Sequence, residues 1–555
     1  MDEENTLRLA ALLHDIGKFW QGSGEPHDSR YNHLTPEDYG KHGAHAKWSA
    51  SFVVNYLPEE FQNCESLVLY HHNPKNRDLK IIALADWLSS GERRGLEEGE
   101  GKGERVKTPL ISIFSRIDIG KGRSSPEYSE YRYCYPVKKL ELNRDVIFPK
   151  PLEGLKRESG PGAEDWLKGA YKSLWKEFVD EVKGIKTIRD FDAYFNTLYH
   201  LLQKYTWCVP SAVWRSKPDV SLFDHLKKEN PEHEHIFVYK LNDTNFTDVI
   251  SGCTGTDREV PISFGFKFLV KNTPYNTSDE IKDFGQMADD SAGIKRWAVL
   301  RADVDDLGMI FLGGLGEDRT ISRISNLSFM LSLFFRGWIE RICEGEGYKG
   351  KIYAIYSGGD DLFIVGSWDR MPEIGKRIYE DFRGFTCRNP NITSSTGITI
   401  APSKKYPLSQ VADTAGEALD KSKSLKKEDS TPIEKDGITF LGMPVKWYEF
   451  SGEITNIKAN LEKLIKTGGV SRAILQKLYE IYDEYKRESA KHGEALAKYD
   501  DRYGRWRWLL AYVIARTKVS NENEPLLRET EKLIRKNIEY LPIAVRWVEF
   551  ITRNE

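Results

Sequence analysis

The chain has 555 residues, of which 81 are Lys or Arg and 84 are Asp or Glu, so its formal net charge is −3. At roughly 150 residues per domain, this length allows about three to four domains. The near balance of charge excludes a strong overall basic field, so any binding of nucleic acid depends on local patches or partner subunits. The acidic N-terminus is unlike a signal peptide, and no apolar run is long enough to span a membrane. We therefore expect a cytoplasmic protein without membrane association.

The six cysteines are scattered along the chain and form no Cys-x-x-Cys pair. This distribution argues against both a disulfide framework and a cysteine zinc site. We expect ordinary buried or half-buried thiols.

Residues 5–90 have helical patterns and hold seven of the twelve histidines. His14 and Asp15 lie in Leu-Leu-His-Asp-Ile-Gly-Lys, where apolar neighbours predict one buried helix. His45 follows, and His71 precedes an apolar helix over 79–90 whose one acidic residue is Asp86. A buried carboxylate needs a partner, and a metal ion or a histidine would serve. The alternative interpretation is a hydrogen-bonded His-Asp pair with the other histidines on the surface.

These residues resemble the HD superfamily of metal-dependent phosphohydrolases. The resemblance implies that His14, Asp15, His45, His71 and Asp86 hold one or two divalent ions. Imidazole and carboxylate ligands suit Mn, Fe, Co, Ni or Zn better than Mg, and we expect Mn, Ni or Co. Two such ions could activate a water and stabilise the leaving oxygen of a phosphodiester.

Residues 91–110 are Gly-rich and charged, which is typical of a linker or exposed loop. Helices are predicted near 164–182 and 191–205. His225, His233 and His235 lack partners at metal-binding spacing, so we do not expect a metal site there.

The second half of the chain predicts a βαββαβ order, the ferredoxin-like arrangement. The predicted elements are, in chain order, a strand over 297–302, a helix over 321–342, a hairpin with strands 352–356 and 362–365, a helix over 372–382, a strand over 392–400 and a helix over 408–423. The five-residue turn Ser-Gly-Gly-Asp-Asp places carboxylates at the hairpin tip. In this arrangement the first strand ends at the same edge as the tip, so we expect Asp303 to lie near Asp360 and Asp361.

Three converging carboxylates provide what two-metal nucleotidyl transfer needs, with Mg or Mn as the expected ions. Ser357, Gly358 and Gly359 are the turn residues predicted to contact the nucleotide, because glycine lets it approach the backbone closely. Lys423, at the end of the last helix, is the candidate for phosphate binding. Its alternative role is that of a solvated cation complementing the helix dipole.

Three features of the chain together resemble the large subunit of type III CRISPR effector complexes, in particular the Csm (III-A) form. They are the HD block, the sequence Leu-Arg-Ala-Asp-Val-Asp-Asp-Leu-Gly and the sequence Tyr-Ser-Gly-Gly-Asp-Asp-Leu-Phe. The resemblance implies target-RNA-activated synthesis of cyclic oligoadenylate from ATP and metal-dependent cleavage of single-stranded DNA. It also implies crRNA, target RNA, single-stranded DNA and other Csm-type subunits as partners.

One departure from the family pattern concerns the middle of the chain. Family members usually carry a first palm with a Gly-Ile-Gln signature and a four-cysteine zinc site, and here Lys228 runs within a few residues into Ile236-Phe-Val-Tyr. This puts the second ATP pocket in doubt. A cyclase-inactive scaffold of the CRISPR complex therefore stays open as one alternative. A second alternative, from another enzyme class, is a GGDEF-like cyclase joined to an HD phosphodiesterase for cyclic dinucleotides.

The predicted fold class is α+β multidomain. We predict an all-α HD domain over 1–95, a linker and mixed α/β region over 96–235, a ferredoxin-like palm/cyclase domain over 236–450, and a C-terminal helical bundle over 451–555. Apolar and charged residues alternate at helical spacing in that last region.

Overall fold

The computed structural model describes residues 2–40, 43–89, 109–121, 133–158, 166–209, 272–278, 280–316, 319, 321–425, 435–493 and 504–553. The chain is mixed helix and sheet and divides into two compact units. The first comprises 1–268, 308–330 and 384–391, and the second comprises 269–307, 331–383 and 392–555. Within the described residues, no helix combines the length and apolar character required to cross a membrane.

The first unit begins with six helices: α1 (Glu3–Leu13), α2 (Ile16–Gly22), α3 (Pro36–Tyr39), α4 (Ala46–Tyr56), α5 (Glu65–Tyr70) and α6 (Arg77–Ser89). The prediction of one helix through the His-Asp pair is wrong. His14 ends α1 and Asp15 precedes α2, so the pair lies at the junction between two helices. Helix ends leave backbone groups unpaired, and a His-Asp pair suits such a position better than a helix interior.

Two longer helices, Trp166–Gly184 and Phe191–Thr206, also belong to this unit, as do the short strands β1 (Tyr133–Cys134) and β2 (Lys150–Pro151). The ring of Trp175 lies 5.1 Å from that of Phe19 and 5.9 Å from that of Phe52. Phe178 stacks on Phe52 at 5.8 Å. The core beneath α2 and α4 therefore includes residues that lie more than one hundred positions further along the chain.

The second unit contains a six-stranded sheet in the order β4-β5-β3-β6-β7-β8. Its strands are β3 (Trp297–Val304), β4 (Ile352–Gly358), β5 (Asp361–Ser367), β6 (Ser394–Ile400), β7 (Gly437–Phe440) and β8 (Met443–Lys446). All neighbouring pairs are antiparallel except β6 and β7. The near-continuous apolar run of β3 reflects its central place, with Trp297 to Leu300 fully buried.

The hairpin between β4 and β5 is tighter than predicted. Gly358 pairs with Asp361, so the turn has two central residues, Gly359 and Asp360, rather than five. Gly359 has φ +67°, as glycine commonly has at the first central position of a tight hairpin turn. Both strands thus extend right up to the carboxylates, which fixes the position of the acidic tip.

Helices connect and follow the strands of this sheet along the chain. The helix Ile321–Ser332 continues through a π-helical segment, Leu333–Trp338, into Ile339–Cys343, and the helices Met371–Phe385 and Leu408–Lys423 follow the predicted pattern. Later helices are Thr455–Lys466, Ala473–His492, Arg505–Arg516, Glu524–Lys536 and Leu541–Ile551. They belong to the same compact unit as the sheet. Trp547, on the last helix, packs 5.2 Å from Phe440 of β7.

The cysteines agree with the expectation of unpaired thiols where the structure describes them. Cys64, Cys134, Cys208, Cys343 and Cys387 are buried, and none of these five forms a disulfide. The remaining one, Cys253, lies outside the described residues, as do His42, His225, His233 and His235.

Candidate metal centres

The helices α1 to α6 bring together the histidines and aspartates predicted for the HD block. Asp15, His45, His71 and His72 offer ligand atoms within 4.8 Å of one another, and His14, Asp15 and Asp86 form a second such group. Asp15 belongs to both. The Nε2 atom of His45 lies 3.0 Å from Oδ1 of Asp15. All five predicted residues therefore belong to one continuous cluster.

Two residues of this cluster were not predicted as site residues. Nε2 of His72 lies 3.2 Å from Nε2 of His45. Lys18, buried to 8% exposure, forms an ion pair with Asp15. The adjacent histidines at 71 and 72 give no sequence signal for both entering one site, and a lysine is ordinarily expected in solvent.

Backbone carbonyls fix the orientation of two of the imidazoles. Nδ1 of His14 lies 2.8 Å from the carbonyl oxygen of Ala11, and Nδ1 of His71 lies 2.7 Å from that of Val68. A carbonyl oxygen only accepts, so each Nδ1 carries the proton. Nε2 of His71 is buried and has no hydrogen-bond partner. A metal-binding histidine usually has this arrangement, with one nitrogen held by a carbonyl and the other directed toward the ion.

Asp86 supplies a second carboxylate, whose side chain is fully buried. Its Oδ1 lies 3.7 Å from Nε2 of His14, and Oδ2 of Asp15 lies 3.5 Å from the same nitrogen. Burial favours a lower pKa for His14, but the two carboxylates outweigh this effect and raise its pKa to about 9. Burial and the charge of Lys18 lower the pKa of His45 to about 4. A metal ion bound here would replace the proton of His14 and the ammonium group of Lys18 as the partner of the carboxylates. The imidazole and carboxylate donors fit a divalent transition metal.

Gly17 of the His-Asp-Ile-Gly-Lys sequence allows α2 to pass very close to α4. A Cβ at this position would lie 2.1 Å from the carbonyl oxygen of His45 and 2.6 Å from the backbone nitrogen of Ser49. The Gly17 amide donates to Oγ of Ser49 at 2.8 Å, and that hydroxyl donates to the carbonyl of His14 at 2.7 Å. The glycine therefore sets the distance between the helix junction at Asp15 and the start of α4 at His45.

Substituting Gly17→Ala is expected to separate α2 from α4 and move His45 away from Asp15. Overpacking of this kind typically costs about 1–3 kcal/mol of folding free energy. The wild type is expected to melt at a higher temperature in Mn²⁺, and the variant should melt at a lower temperature and lose this Mn²⁺-dependent shift. Gly169→Ala is the control, because a Cβ there meets nothing within 4 Å. An unchanged Mn²⁺-dependent shift in Gly17→Ala would contradict this account.

The sheet forms a second acidic cluster at the end of β3. Asp303, Asp360 and Asp361 offer carboxylate oxygens within 4.8 Å of one another. Ala302 pairs with Leu362, so the next position along β3 lies beside the hairpin tip. Burial and the charge of Asp303 raise the pKa of Asp360, as expected for crowded carboxylates. Three carboxylate oxygens are the ligand type that Mg²⁺ and Mn²⁺ prefer.

Lys423 contacts this cluster directly, because its ammonium group forms an ion pair with Oδ2 of Asp303. Ser357 donates a hydrogen bond to the carbonyl of Phe335 in the π-helical segment, so its hydroxyl supports the hairpin from the neighbouring helix. At Gly358 a Cβ would lie 3.3 Å from the guanidinium of Arg336, whereas at Gly359 it would meet nothing within 4 Å. Of the two glycines, Gly359 leaves open space at the tip.

Asp305, directly after β3, has a different environment from Asp303. It is fully buried and accepts hydrogen bonds from the hydroxyls of Thr393 (2.7 Å) and Ser395 (2.8 Å) and from the amide of Asp436 (2.9 Å). Burial raises its pKa, although these donors oppose the shift. Asp305 therefore joins the end of β3 to the starts of β6 and β7, and it lies outside the three-carboxylate cluster.

Substituting Asp305→Ala should destabilise the sheet unit, because it leaves buried donors of Thr393, Ser395 and Asp436 without their acceptor. The expected loss is about 1–3 kcal/mol in the free energy of unfolding. Thermal melting followed by tryptophan fluorescence measures it. Asp413→Ala, on an exposed helix position, is the control. Equal melting temperatures for the two variants would refute the structural role of Asp305.

Comparison with protein families matches two segments of the chain. Residues 1–91 match the HD domain, and residues 296–431 match the second palm domain of Cas10/Cmr2. The histidine-aspartate cluster lies in the first segment, and the three-carboxylate cluster lies in the second. Lys423 also falls within the second.

A curated relative from Methanocaldococcus jannaschii is 35% identical over an alignment 767 positions long, gaps included, which covers 80% of this chain and 92% of the relative. It is named a single-strand-specific deoxyribonuclease Cas10/Csm1 of a subtype III-A CRISPR system. The chain belongs to the Cas10/Csm1 family. A Cas10/Csm1 relative from Enterococcus italicus is 40% identical over 136 residues, covering 24% of this chain and 17% of the relative. The resemblance predicted from the sequence motifs is thus confirmed.

Solved Csm1 structures share the fold at low sequence identity. The crystal structure of Csm1 from T. onnurineus has a TM-score of 0.59 at 15% identity, with full coverage of both chains. A Csm1–Csm4 cassette in complex with cA4 has a TM-score of 0.56 at 14% identity, again with full coverage. These similarities establish a Csm1-like fold for this Cas10/Csm1 chain.

Proposed function

We propose that this chain is the large subunit of a subtype III-A effector complex, with a target-RNA-activated cyclic oligoadenylate synthase at the palm and a single-strand DNA nuclease at the HD block. The observation that carries the proposal is the presence of two separate ligand clusters, one in each matched segment of the same chain. Each cluster has the donor set that its reaction requires.

In the HD centre, the proposed metal ligands are His14, Asp15, His45, His71 and Asp86, and His72 is a further candidate. Mn, Ni or Co would supply Lewis acidity and lower the pKa of a bound water. The backbone bond at Nδ1 keeps His71 oriented with Nε2 toward the cluster. Lys18 offsets the charge of Asp15, so the carboxylate stays ionised in a buried place.

In the palm, Asp303, Asp360 and Asp361 are the proposed ligands for Mg or Mn, which would neutralise charge on the triphosphate of ATP. We assign the β3-β4-β5-β6 part of the sheet, with its helices, to a ferredoxin-like palm, because its strand order and antiparallel pairing match that arrangement. Ser357, Gly358 and Gly359 form the backbone wall of the nucleotide site. Lys423 is placed to contact a phosphate when it leaves Asp303.

The proposed partners are crRNA, target RNA, single-stranded DNA and other Csm-type subunits, in the cytoplasm. The relative from M. jannaschii, a single-strand-specific deoxyribonuclease, supports the nuclease activity, and the solved Csm1–Csm4 cassettes in complex with AMPPNP and cA4 support a nucleotide site and a Csm4 partner. We also propose the domain limits 1–95, 96–235, 236–450 and 451–555, with a helical bundle in the last domain.

The direct test is to assemble the complex around this chain and incubate it with ATP, Mg²⁺ or Mn²⁺ and matched target RNA. Mass spectrometry should identify cyclic oligoadenylates that are absent when the target RNA is omitted. Conversion of GTP to a cyclic dinucleotide without RNA would instead support the GGDEF-like alternative.

The scaffold alternative rests on one sequence feature, the short passage from Lys228 to Ile236 where a first palm and a zinc site are expected. A scaffold would assemble with crRNA and the other subunits but give no product from any nucleotide. DNA cleavage would be unaffected, because the HD ligands come from residues 14–86.

A further inference from the structure

A cavity of about 470 Å³ lies on the sheet unit, away from the three-carboxylate cluster. Its walls come from the end of β6, the Leu408–Lys423 helix, the turn between β7 and β8 and two C-terminal helices, all within one compact unit. Ile400 lines it and pairs with Ala298, five positions before Asp303. At about 3.3 Å per strand residue, Ile400 lies about 16 Å from the level of Asp303 along the sheet, and Ile398, which also lines the cavity and pairs with Leu300, lies about 10 Å from it.

The rim of this cavity is positively charged. Lys421 and Arg546 both line it, and its lining includes no Asp or Glu. Over the part of the chain that the structure describes, neither cation forms an ion pair with a carboxylate. Lys423, two residues after Lys421, does pair with Asp303. Side chains two positions apart on a helix point in different directions. The end of this helix therefore directs Lys421 to the cavity and Lys423 to the carboxylate cluster.

The floor of the cavity contains an unsatisfied hydroxyl. Thr439 of β7 has 0% exposure and lines the cavity, and its Oγ1 has no hydrogen-bond partner. Buried polar groups nearly always have a hydrogen-bond partner, so an unpaired buried hydroxyl in a cavity wall is a candidate contact for a ligand. This atom is not needed for the sheet, since β7 pairs through its backbone with both neighbours.

The remaining wall is apolar and partly aromatic. Ile398, Leu441 and Phe550 contribute to it. The guanidinium carbon of Arg546 lies 5.0 Å from the centre of the Phe550 ring, which places the cation beside a flat apolar surface. The volume falls within the range of pockets that hold small ligands and cofactors.

We propose that this cavity binds one nucleoside phosphate, with its phosphates on Lys421 and Arg546 and its base against Phe550 and the apolar wall. Thr439 donates to, or accepts from, a polar group of the base or ribose. The proposal goes beyond the synthase and nuclease activities, because the lining of this cavity supplies two cations and no carboxylate for the phosphates. Binding therefore needs no metal, unlike binding at the carboxylate edge.

Titration calorimetry of the full chain with ATP, ADP and AMP in EDTA tests the site. We expect binding of at least one of them, and the double substitution Lys421→Met/Arg546→Met should weaken it about tenfold or more, because each cation forms charge-assisted bonds to phosphate. Lys477→Met is the control, since Lys477 is exposed on the same helix as Tyr479 and does not line the cavity. Absence of metal-free binding, or equal affinity in the double variant, would overturn the proposal.

Two further measurements distinguish a nucleotide site from a site for phosphate alone. Pyrophosphate should compete much more weakly than ADP, and equal competition would rule out a site for the nucleoside. Thr439→Val should weaken ADP binding without lowering the melting temperature of the free protein, because it removes an unsatisfied hydroxyl while keeping the side-chain shape. A hydroxyl with only a structural role would give the reverse: a lower melting temperature and unchanged binding. Retained palm synthesis with no metal-free binding would refute the cavity site alone.

Discussion

Substituting Asp360→Ala together with Asp361→Ala is expected to abolish cyclic oligoadenylate synthesis by the assembled complex. The two residues provide two of the three carboxylates at the palm edge, and Asp303 alone cannot hold a cation against the triphosphate. Loss of metal-based charge stabilisation is worth several kcal/mol, and each 1.4 kcal/mol is about tenfold in rate. The rate should therefore fall about a thousandfold or more, as measured by mass analysis of products from ATP and target RNA.

The matched control for this pair is Asp413→Ala/Asp420→Ala, which removes two exposed carboxylates from the helix that carries Lys423. It should leave synthesis near the wild-type rate. Single-strand DNA cleavage should survive in both variants, because its proposed ligands come from a different segment. If the Asp360 and Asp361 variant formed product at the normal rate, the palm assignment would fail.

His14→Ala/Asp15→Ala is expected to abolish metal-dependent cleavage of single-stranded DNA while leaving ATP conversion intact. Asp15 belongs to both ligand groups of the HD centre, so its removal affects every ion that the cluster could hold. The loss should again be about a thousandfold or more, on the same basis of charge stabilisation. Cleavage of a labelled single strand in Mn²⁺ provides the measurement.

The control for the HD pair is His33→Ala, an exposed histidine of the same unit outside the ligand groups. It should cleave at the wild-type rate. The melting temperature of the His14 and Asp15 variant must also be compared with that of the wild type, because Lys18 would remain buried without its carboxylate. A folded variant that still cleaved DNA would disprove the proposed HD centre.

Sequence reasoning located the residues of both clusters but not all of their neighbours. The residues proposed as HD ligands could be predicted from the sequence, because histidine and a buried aspartate are rare in apolar helices. Lys18 and His72 were missed, since neither a lysine nor a second adjacent histidine signals burial in a site. Gly17 belongs to the His-Asp-Ile-Gly-Lys motif. Its close approach to the backbone of His45, however, can be seen only in the structure.

In the sheet unit, the periodicity of the sequence predicts the long elements but not the short strands or the turn. Long strands and helices near 297–423 were predicted close to their observed limits. The strands β7 and β8 were not predicted, because each has only four residues and contains or adjoins Gly and Pro. The hairpin turn was predicted three residues too long, since turn-forming residues can also occupy the ends of strands. The burial of Asp305, in contrast to Asp303, depends on Thr393 and Ser395, which are distant from it in the sequence.

The ion pair between Lys423 and Asp303 has a consequence for the order of binding. An ammonium group and a metal ion compete for the same carboxylate, so Lys423 lowers the affinity of the carboxylate cluster for metal ions. A triphosphate offers the lysine another partner and releases Asp303. Cation and ATP are therefore expected to bind cooperatively, each raising the affinity for the other by the same factor. A palm of this kind would hold little metal at rest and fill only when its substrate arrives.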